Sequence, residues 1–286
     1  MVEEVIYNKL LEFIEEDMPF GDLTTNILIP ESTTVKARIV AKQKGIVACI
    51  EEVVYFMRKL GLEVDPRVRD GEEVDRGKTV IEVVGPARTI LSIERVVLNL
   101  LMHCSGIATE VRKLVELVRR VNNRVKIAAT RKTLPGLRYF EKKAVQVGGG
   151  DAHRYSLSDA VLIKDNHISI IGNLEEAIKT ARSKTSFIHK IEVEVSTVED
   201  AIKAVEYGVD VVMLDNMKPE EVARVIEELR KRGLRDRVLI EVSGGITPDN
   251  ILEYAKLDVD VISCGYITMS SRHIDMSLDI VEVVKK

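Results

Sequence analysis

From Val125 to Gly265 the chain alternates short apolar runs with amphipathic segments, and this rhythm restricts the fold more than any other feature. The runs VKIAAT, DAVLIK, KIEVEVS, VDVVMLD, RVLIEVS and VDVISCG, beginning at Val125, Asp159, Lys190, Val209, Arg237 and Val259, read as strands. Helical periodicity fills the intervals near 174–183, 198–207, 219–232 and 248–256. Near-continuous apolar strands are buried on both faces, as happens when parallel strands are joined through helices. The class is therefore α/β. Six or seven such strands make an incomplete TIM-like α/β barrel, although an open doubly wound sheet shares the periodicity. The strand exits favour the barrel, because Arg131-Lys132, Lys164-Asp165-Asn166, Glu194, Asp215-Asn216, Ser243-Gly244-Gly245 and Gly265 converge only on the rim of a closed one.

The residues before Val125 follow another pattern. Val5, Leu10, Leu11 and Ile14 lie near helical spacing until Asp17-Met18-Pro19 stops the helix, and Gly21-Asp22-Leu23-Thr24-Thr25 reads as a turn. Short β runs then occupy Val35 to Val84, interrupted by a helix over 51–60. The runs around DGEEVDRGKTVIEVVG resemble a lipoyl or biotinyl half-hammerhead, but a carrier needs a lysine at the hairpin tip, and Lys78 leads straight into a strand. Thr89 to Val121 is helical with a break expected at Ser105-Gly106; its first half is apolar on nearly every side, which suits a domain junction or subunit interface. Arg95 faces away from the main stripe and needs a partner or a ligand. The expected division is an N-terminal α+β domain (1–104), a barrel (105–268) and a C-terminal helix (269–286) returning to the first domain.

A chain of 286 residues with 45% hydrophobic content buries a sizeable core. Cys49, Cys104 and Cys264 form no CxxC pair, so neither a disulfide framework nor a zinc site is expected, in keeping with a cytoplasmic protein. The acidic, amphipathic N-terminus is unlike a secretory signal, and no apolar run approaches the ~20 residues of a membrane span. With a net charge of −4, neither nucleic acid nor membrane is expected as a partner. Charged residues reach 31% while glutamine occurs only at Gln43 and Gln146, a balance associated with thermophile proteins.

Against that net charge, Arg131, Lys132, His153, Arg154 and Lys164 gather beside strand ends or a glycine-rich turn, which points to a small anionic ligand. Gly148-Gly149-Gly150 would let backbone approach it closely. SGGIT and SCGYIT end the last two strands, where phosphate-binding barrels build their phosphate site. Glu194 and Asp215 end adjacent strands and suit Mg²⁺, sugar hydroxyls or acid–base chemistry, with a Lys or Arg partner as the alternative. Of Glu192 and Glu194, one is expected to face the barrel interior and the other the helices.

The stretch TRKTLPGLRYFEKKAVQVGGGDAHRYSLSDAVLIKDNH, from Thr130 to His167, resembles the signature of quinolinate phosphoribosyltransferase in the type II phosphoribosyltransferase family. The resemblance extends through EDMPFGDLTT at Glu16, Glu94-Arg95, SGIAT at Ser105, EVEV at Glu192, Leu214-Asp215-Asn216 and SGGI at Ser243, and so covers essentially the whole chain. Many bacterial members read HNH where this chain has Asp151-Ala152-His153, while His153-Arg154 is intact. The resemblance implies transfer of phosphoribose from 5-phosphoribosyl diphosphate to quinolinate, with release of pyrophosphate and CO₂. It implies quinolinate binding by Arg95, Arg131, His153, Arg154 and Lys164. Binding of the diphosphate substrate falls to Lys132, Lys164, Glu194, Asp215, Ser243, Gly244, Gly245 and Gly265, with Lys132, Glu194 and Asp215 catalytic. Mg²⁺ would sit on Glu194 and Asp215, directly or through water, and no organic cofactor is needed. The resemblance selects Glu194 over Glu192 and implies a homodimer or dimer-based oligomer in which Arg95 completes the neighbouring subunit's site. Rival readings are a molybdenum-transport-associated paralogue, a nicotinate-specific phosphoribosyltransferase, an aldolase using Lys164 as a Schiff base, and a non-catalytic phosphate-binding protein.

Overall fold

The structure, a computed structural model, describes residues 2–285. Its elements in chain order begin with α1 (Val2–Asp17), α2 (Leu23–Leu28), β1 (Thr34–Ala41), β2 (Gly45–Ile46), α3 (Ile50–Lys59) and β3 (Glu63–Pro66). Next come β4 (Glu73–Val74), β5 (Thr79–Pro86), α4 (Ala87–Arg119), β6 (Lys126–Ala128), α5 (Arg138–Val147) and β7 (Val161–Ile163). The repeating part follows: α6 (Asp165–Ile171), α7 (Leu174–Lys184), β8 (Ile191–Val195), α8 (Val198–Glu206), β9 (Val211–Asp215) and α9 (Pro219–Lys231). It closes with β10 (Leu239–Ser243), α10 (Ile251–Ala255), β11 (Val261–Ser263), α11 (Tyr266–Met269) and β12 (Met276–Lys285).

These elements form two compact units, the first comprising 1–112, 135–148 and 271–286 and the second 113–134 and 149–270. In the first unit an antiparallel sheet runs in the order β12-β1-β5-β3, with β2 and β4 paired apart from it. Ile39, Val80, Ile81 and Val83 of that sheet are buried, as are Leu10 of α1 and Phe56 and Met57 of α3. The C-terminal stretch is thus a strand and not the helix expected over 269–286. It returns to the first unit as anticipated, but by pairing antiparallel with β1 from Thr34↔Lys285 to Ala41↔Met276. The Gly21–Thr25 stretch also differs from the expected turn: Asp22 caps α2, its side chain accepting from the Thr25 amide at 2.9 Å.

Helix α4 runs unbroken through Ser105-Gly106. A Cβ on Gly106 would lie 2.2 Å from the Arg272 carbonyl oxygen, so the glycine serves a close crossing instead of a break. By length and composition α4 could cross a membrane. Its residues Ile90, Ile93, Val97, Leu101 and Cys104 are nonetheless buried within the protein, as in a core helix. Gly148 is likewise a packing glycine, since a Cβ there would meet the Ala108 carbonyl and Val111 at 2.7 Å. At Gly148 this differs from the close backbone–ligand approach expected of the triplet, while Gly149 takes a positive φ of 95°.

The second unit carries a six-stranded parallel sheet in the order β6-β11-β10-β9-β8-β7. β6 and β7 pair with one neighbour each, so the barrel is incomplete, as the strand count anticipated. Val193, Val212, Leu214, Ile240, Val242 and Ile262 are buried in its strands, and α7, α8 and α9 add buried Ile178, Ala201 and Val225.

Candidate active site

All strands of the parallel sheet deliver their C-terminal ends to one side, and two clefts reach it, the first running along the outer strand β7. One, of about 370 Å³, is lined by Arg131, Arg154, Lys164, His167 and His189 together with Leu157 and Leu162. Arg131 follows β6 and Lys164 follows β7, the two outer strands of the sheet, so the sheet curls until its edges face one cleft. The other, of about 390 Å³, is lined by Glu194 and Asp215 at the ends of β8 and β9, with Asp165 and Asp200. Charge is therefore sorted across the mouth, cations around one cleft and carboxylates around the next. Lys164 bridges the border through an ion pair with Glu194, the lysine partner that sequence reasoning held as the alternative for that carboxylate.

Asp215 accepts from Asn216 Nδ2 at 2.7 Å, and the Asn216 amide donates to the Ser243 carbonyl at 2.9 Å. These contacts tie the β9 exit to the β10 exit. The next residue, Gly244, has φ +87°, and a Cβ there would fall 2.4 Å from Asn216 Oδ1. Lys132 is anchored through its backbone, its carbonyl accepting from Thr268 Oγ1 at 2.6 Å, while its side chain passes where a Cβ on Gly265 would lie 2.9 Å from Lys132 Cδ. Arg154 directs Nη1 to the Ala160 carbonyl at 3.0 Å. Burial, with Arg131 close by, lowers the Arg154 guanidinium below its ordinary value, and Glu192 works in the opposite sense. The Nε atoms of Arg131 and Arg154 are buried without a hydrogen-bond partner.

His153, expected among the quinolinate ligands, has both ring nitrogens committed within the protein. Nδ1 accepts from the Arg154 amide at 2.7 Å, and Nε2 lies 3.2 Å from Glu241 and 3.6 Å from Glu192. Burial opposes a charged ring and the two carboxylates favour one, while the amide contact at Nδ1 holds the ring neutral. Because the amide at Nδ1 requires a lone pair there, the ring proton resides on Nε2. Burial raises the Glu192 carboxyl, and His153 works in the opposite sense.

The expectation that Glu192 and Glu194 face opposite sides fails, because residues two apart on a strand share a face. Glu192 on β8 meets Glu241 on β10 across the intervening β9, which happens only on the concave side of a curled sheet. Glu241 escaped sequence reasoning altogether. Its signal was a lone charge inside the apolar run RVLIEVS, and a charge in a core strand requires a partner. Among the residues of the first unit, Arg95 is exposed on α4 and carries no ion pair among the described residues.

Residues 22–105 match the family model for the N-terminal domain of quinolinate phosphoribosyl transferase, and 107–279 match that for its C-terminal domain. A relative from Archaeoglobus fulgidus, named "Probable nicotinate-nucleotide pyrophosphorylase (carboxylating)", is 51% identical over 265 residues, covering 93% of this chain and 100% of the relative. The nicotinate-nucleotide pyrophosphorylase (carboxylating) of Rattus norvegicus is 37% identical over 266 residues, covering 93% of this chain and 88% of its own. The crystal structure of NadC from Streptococcus pyogenes superposes with a TM-score of 0.89 at 35% identity, covering 99% of each chain. With both domain models matched in order and relatives aligned over nearly the full length, the chain belongs to the quinolinate phosphoribosyl transferase family.

Proposed function

We propose that this chain transfers phosphoribose from 5-phosphoribosyl diphosphate to the ring nitrogen of quinolinate and decarboxylates the product to nicotinate mononucleotide. The observation that carries the reading is the sorted charge of the barrel mouth. Quinolinate is a dianion, and Arg131, Arg154 and Lys164 around one cleft suit its two carboxylates. The adjoining carboxylates suit a ribose and a hard cation.

In the transfer the C1–oxygen bond to diphosphate breaks as the quinolinate nitrogen bonds to C1, and pyrophosphate leaves. Glu194 and Asp215 stabilise the positive charge that develops at C1, while Lys132 pairs with the diphosphate. The ring nitrogen is then cationic, so the bond to the adjacent carboxylate can break with its electron pair held on the ring carbon, which takes up a proton as CO₂ departs. The acidic cleft offers oxygen donors only, a set that fits Mg²⁺; Glu194 and Asp215 would hold it, where it would neutralise charge on the diphosphate. Gly244, Gly245 and Gly265, with Ser243, form the phosphate-facing backbone in this reading.

We extend the proposal to a homodimer in which Arg95 of one subunit completes the quinolinate site of the other; its exposure, and its lack of an ion pair among the described residues, support that role. The test of the activity is product analysis with phosphoribosyl diphosphate, Mg²⁺ and either quinolinate or nicotinate. Nicotinate mononucleotide formed with stoichiometric pyrophosphate and CO₂ from quinolinate is the expected outcome. Turnover of nicotinate in preference to quinolinate, or of neither, would sink it.

A further inference from the structure

Glu192 and Glu241 are 4% and 2% exposed, and each leaves its Oε1 buried without a partner. Two carboxylates held out of water on the concave side of the sheet call for a reason. Their other oxygens converge on His153 Nε2, and the three groups lie within 4.8 Å of one another. A metal is a poor occupant. The Arg154 amide donates to Nδ1 at 2.7 Å, so the ring proton sits on Nε2, which has no lone pair left for an ion.

The cluster instead acts on the backbone. His153 has φ 52°, a left-handed conformation that a non-glycine residue keeps only where its surroundings hold it. Here the Asp151 carboxylate accepts from the His153 amide at 2.8 Å and the His153 ring accepts from the next amide. The ring is in turn oriented by Glu241 and Glu192. The residue that leaves this turn is Arg154, whose guanidinium lines the cationic cleft beside Arg131.

We propose that Glu192 and Glu241 are positioning residues for carboxylate recognition: through His153 they lock the turn that presents Arg154, and their buried negative charge balances the paired arginines. The binding arm of the test rests on the quinolinate reading above; the spectroscopic arm does not. Glu241→Gln, Glu192→Gln and the double variant keep side-chain shape and remove charge. Each single variant is expected to raise the quinolinate Kd about tenfold while phosphoribosyl diphosphate binding stays within about twofold, both measured by calorimetry. His153→Gln, which leaves both carboxylates in place, should show the same selective loss. Unchanged quinolinate affinity in the double variant, or an equal loss for both substrates, overturns the proposal. If the wild-type protein binds no quinolinate, the activity reading fails instead, and the ring ¹⁵N resonances of His153 decide the matter. The wild type should show one protonated and one bare nitrogen, and the double variant an averaged pair; an unaltered pattern in the double variant refutes the positioning role.

Discussion

Substituting Gly244 with alanine separates the conformational role of this glycine from its spatial one. Its φ of +87° costs an L-residue roughly 1–2 kcal/mol on its own. Gly77 provides the matched control: φ is +89° and nothing lies within 4 Å of a Cβ built there. The positive φ should therefore cost each variant ~1–2 kcal/mol, about 2–8 °C in Tm for a unit of this size, and Gly244→Ala should lose more than Gly77→Ala by the contacts it breaks. At Gly244 the new methyl also meets Asn216, at 2.4 Å from Oδ1 and 2.8 Å from the backbone nitrogen. Backbone cannot yield as a flexible side chain can, so Asn216 must turn and its 2.7 Å hydrogen bond to Asp215 is lost. A hydrogen bond to a charged group is worth about 1.5–3 kcal/mol, so the KM for phosphoribosyl diphosphate should rise about 10- to 100-fold. Steady-state kinetics on Gly244→Ala and Gly77→Ala, with Tm values alongside, supply the comparison. Equal KM values in the two variants would refute the argument, because strain alone would then account for Gly244.

Arg131→Ala and Arg154→Ala should each weaken quinolinate binding by about 1.5–3 kcal/mol, read as KM for quinolinate at saturating diphosphate; wild-type values in both would remove the cationic cleft from substrate recognition. Inactive Arg95→Ala mixed with inactive Lys132→Ala, under conditions of subunit exchange, should recover activity approaching half a wild-type site per hybrid dimer. No recovery despite demonstrated exchange means that Arg95 serves its own barrel. Burial raises the Asp151 carboxyl, but the His153 amide and Lys126 outweigh it and hold it below its ordinary value. Its contribution is present above the unfolded-state carboxylate value of about 4 and lost as the pH falls through the lower folded value. Asp151→Asn should accordingly flatten the decline of Tm between about pH 5 and 2, and an unchanged slope would contradict the assignment.

The barrel was legible because most of its strands are short runs rich in Val, Ile and Leu with a polar residue at or just past the exit. What escaped were features set by chain segments distant in sequence. Glu241 meets a histidine 88 residues before it, and no local pattern announces that pairing. Gly106 looked like a helix break because glycine costs roughly 1 kcal/mol in a helix, but packing along a 33-residue helix outweighs that penalty. The C-terminal stretch was misassigned although Leu278, Ile280, Glu282 and Val284 alternate with Ser277, Asp279, Val281 and Val283 in a pattern too weak to exclude a helix. Its partner, β1, lies more than two hundred residues upstream. The Glu192 error was one of period, since a strand repeats every two residues.

The pairing of β12 with β1 bears on how the protein is made. Residues 34–41 leave the ribosome well before their neighbour on one side, residues 276–285. Until those residues emerge, β1 carries an open flank of backbone amides and carbonyls, the kind of edge that recruits other strands. The second unit, ending at 270, can complete its own sheet before that flank is covered. Closure of the first sheet thus waits until residues 276–285 have emerged, and until then β1 keeps a flank open to pairing with another nascent copy.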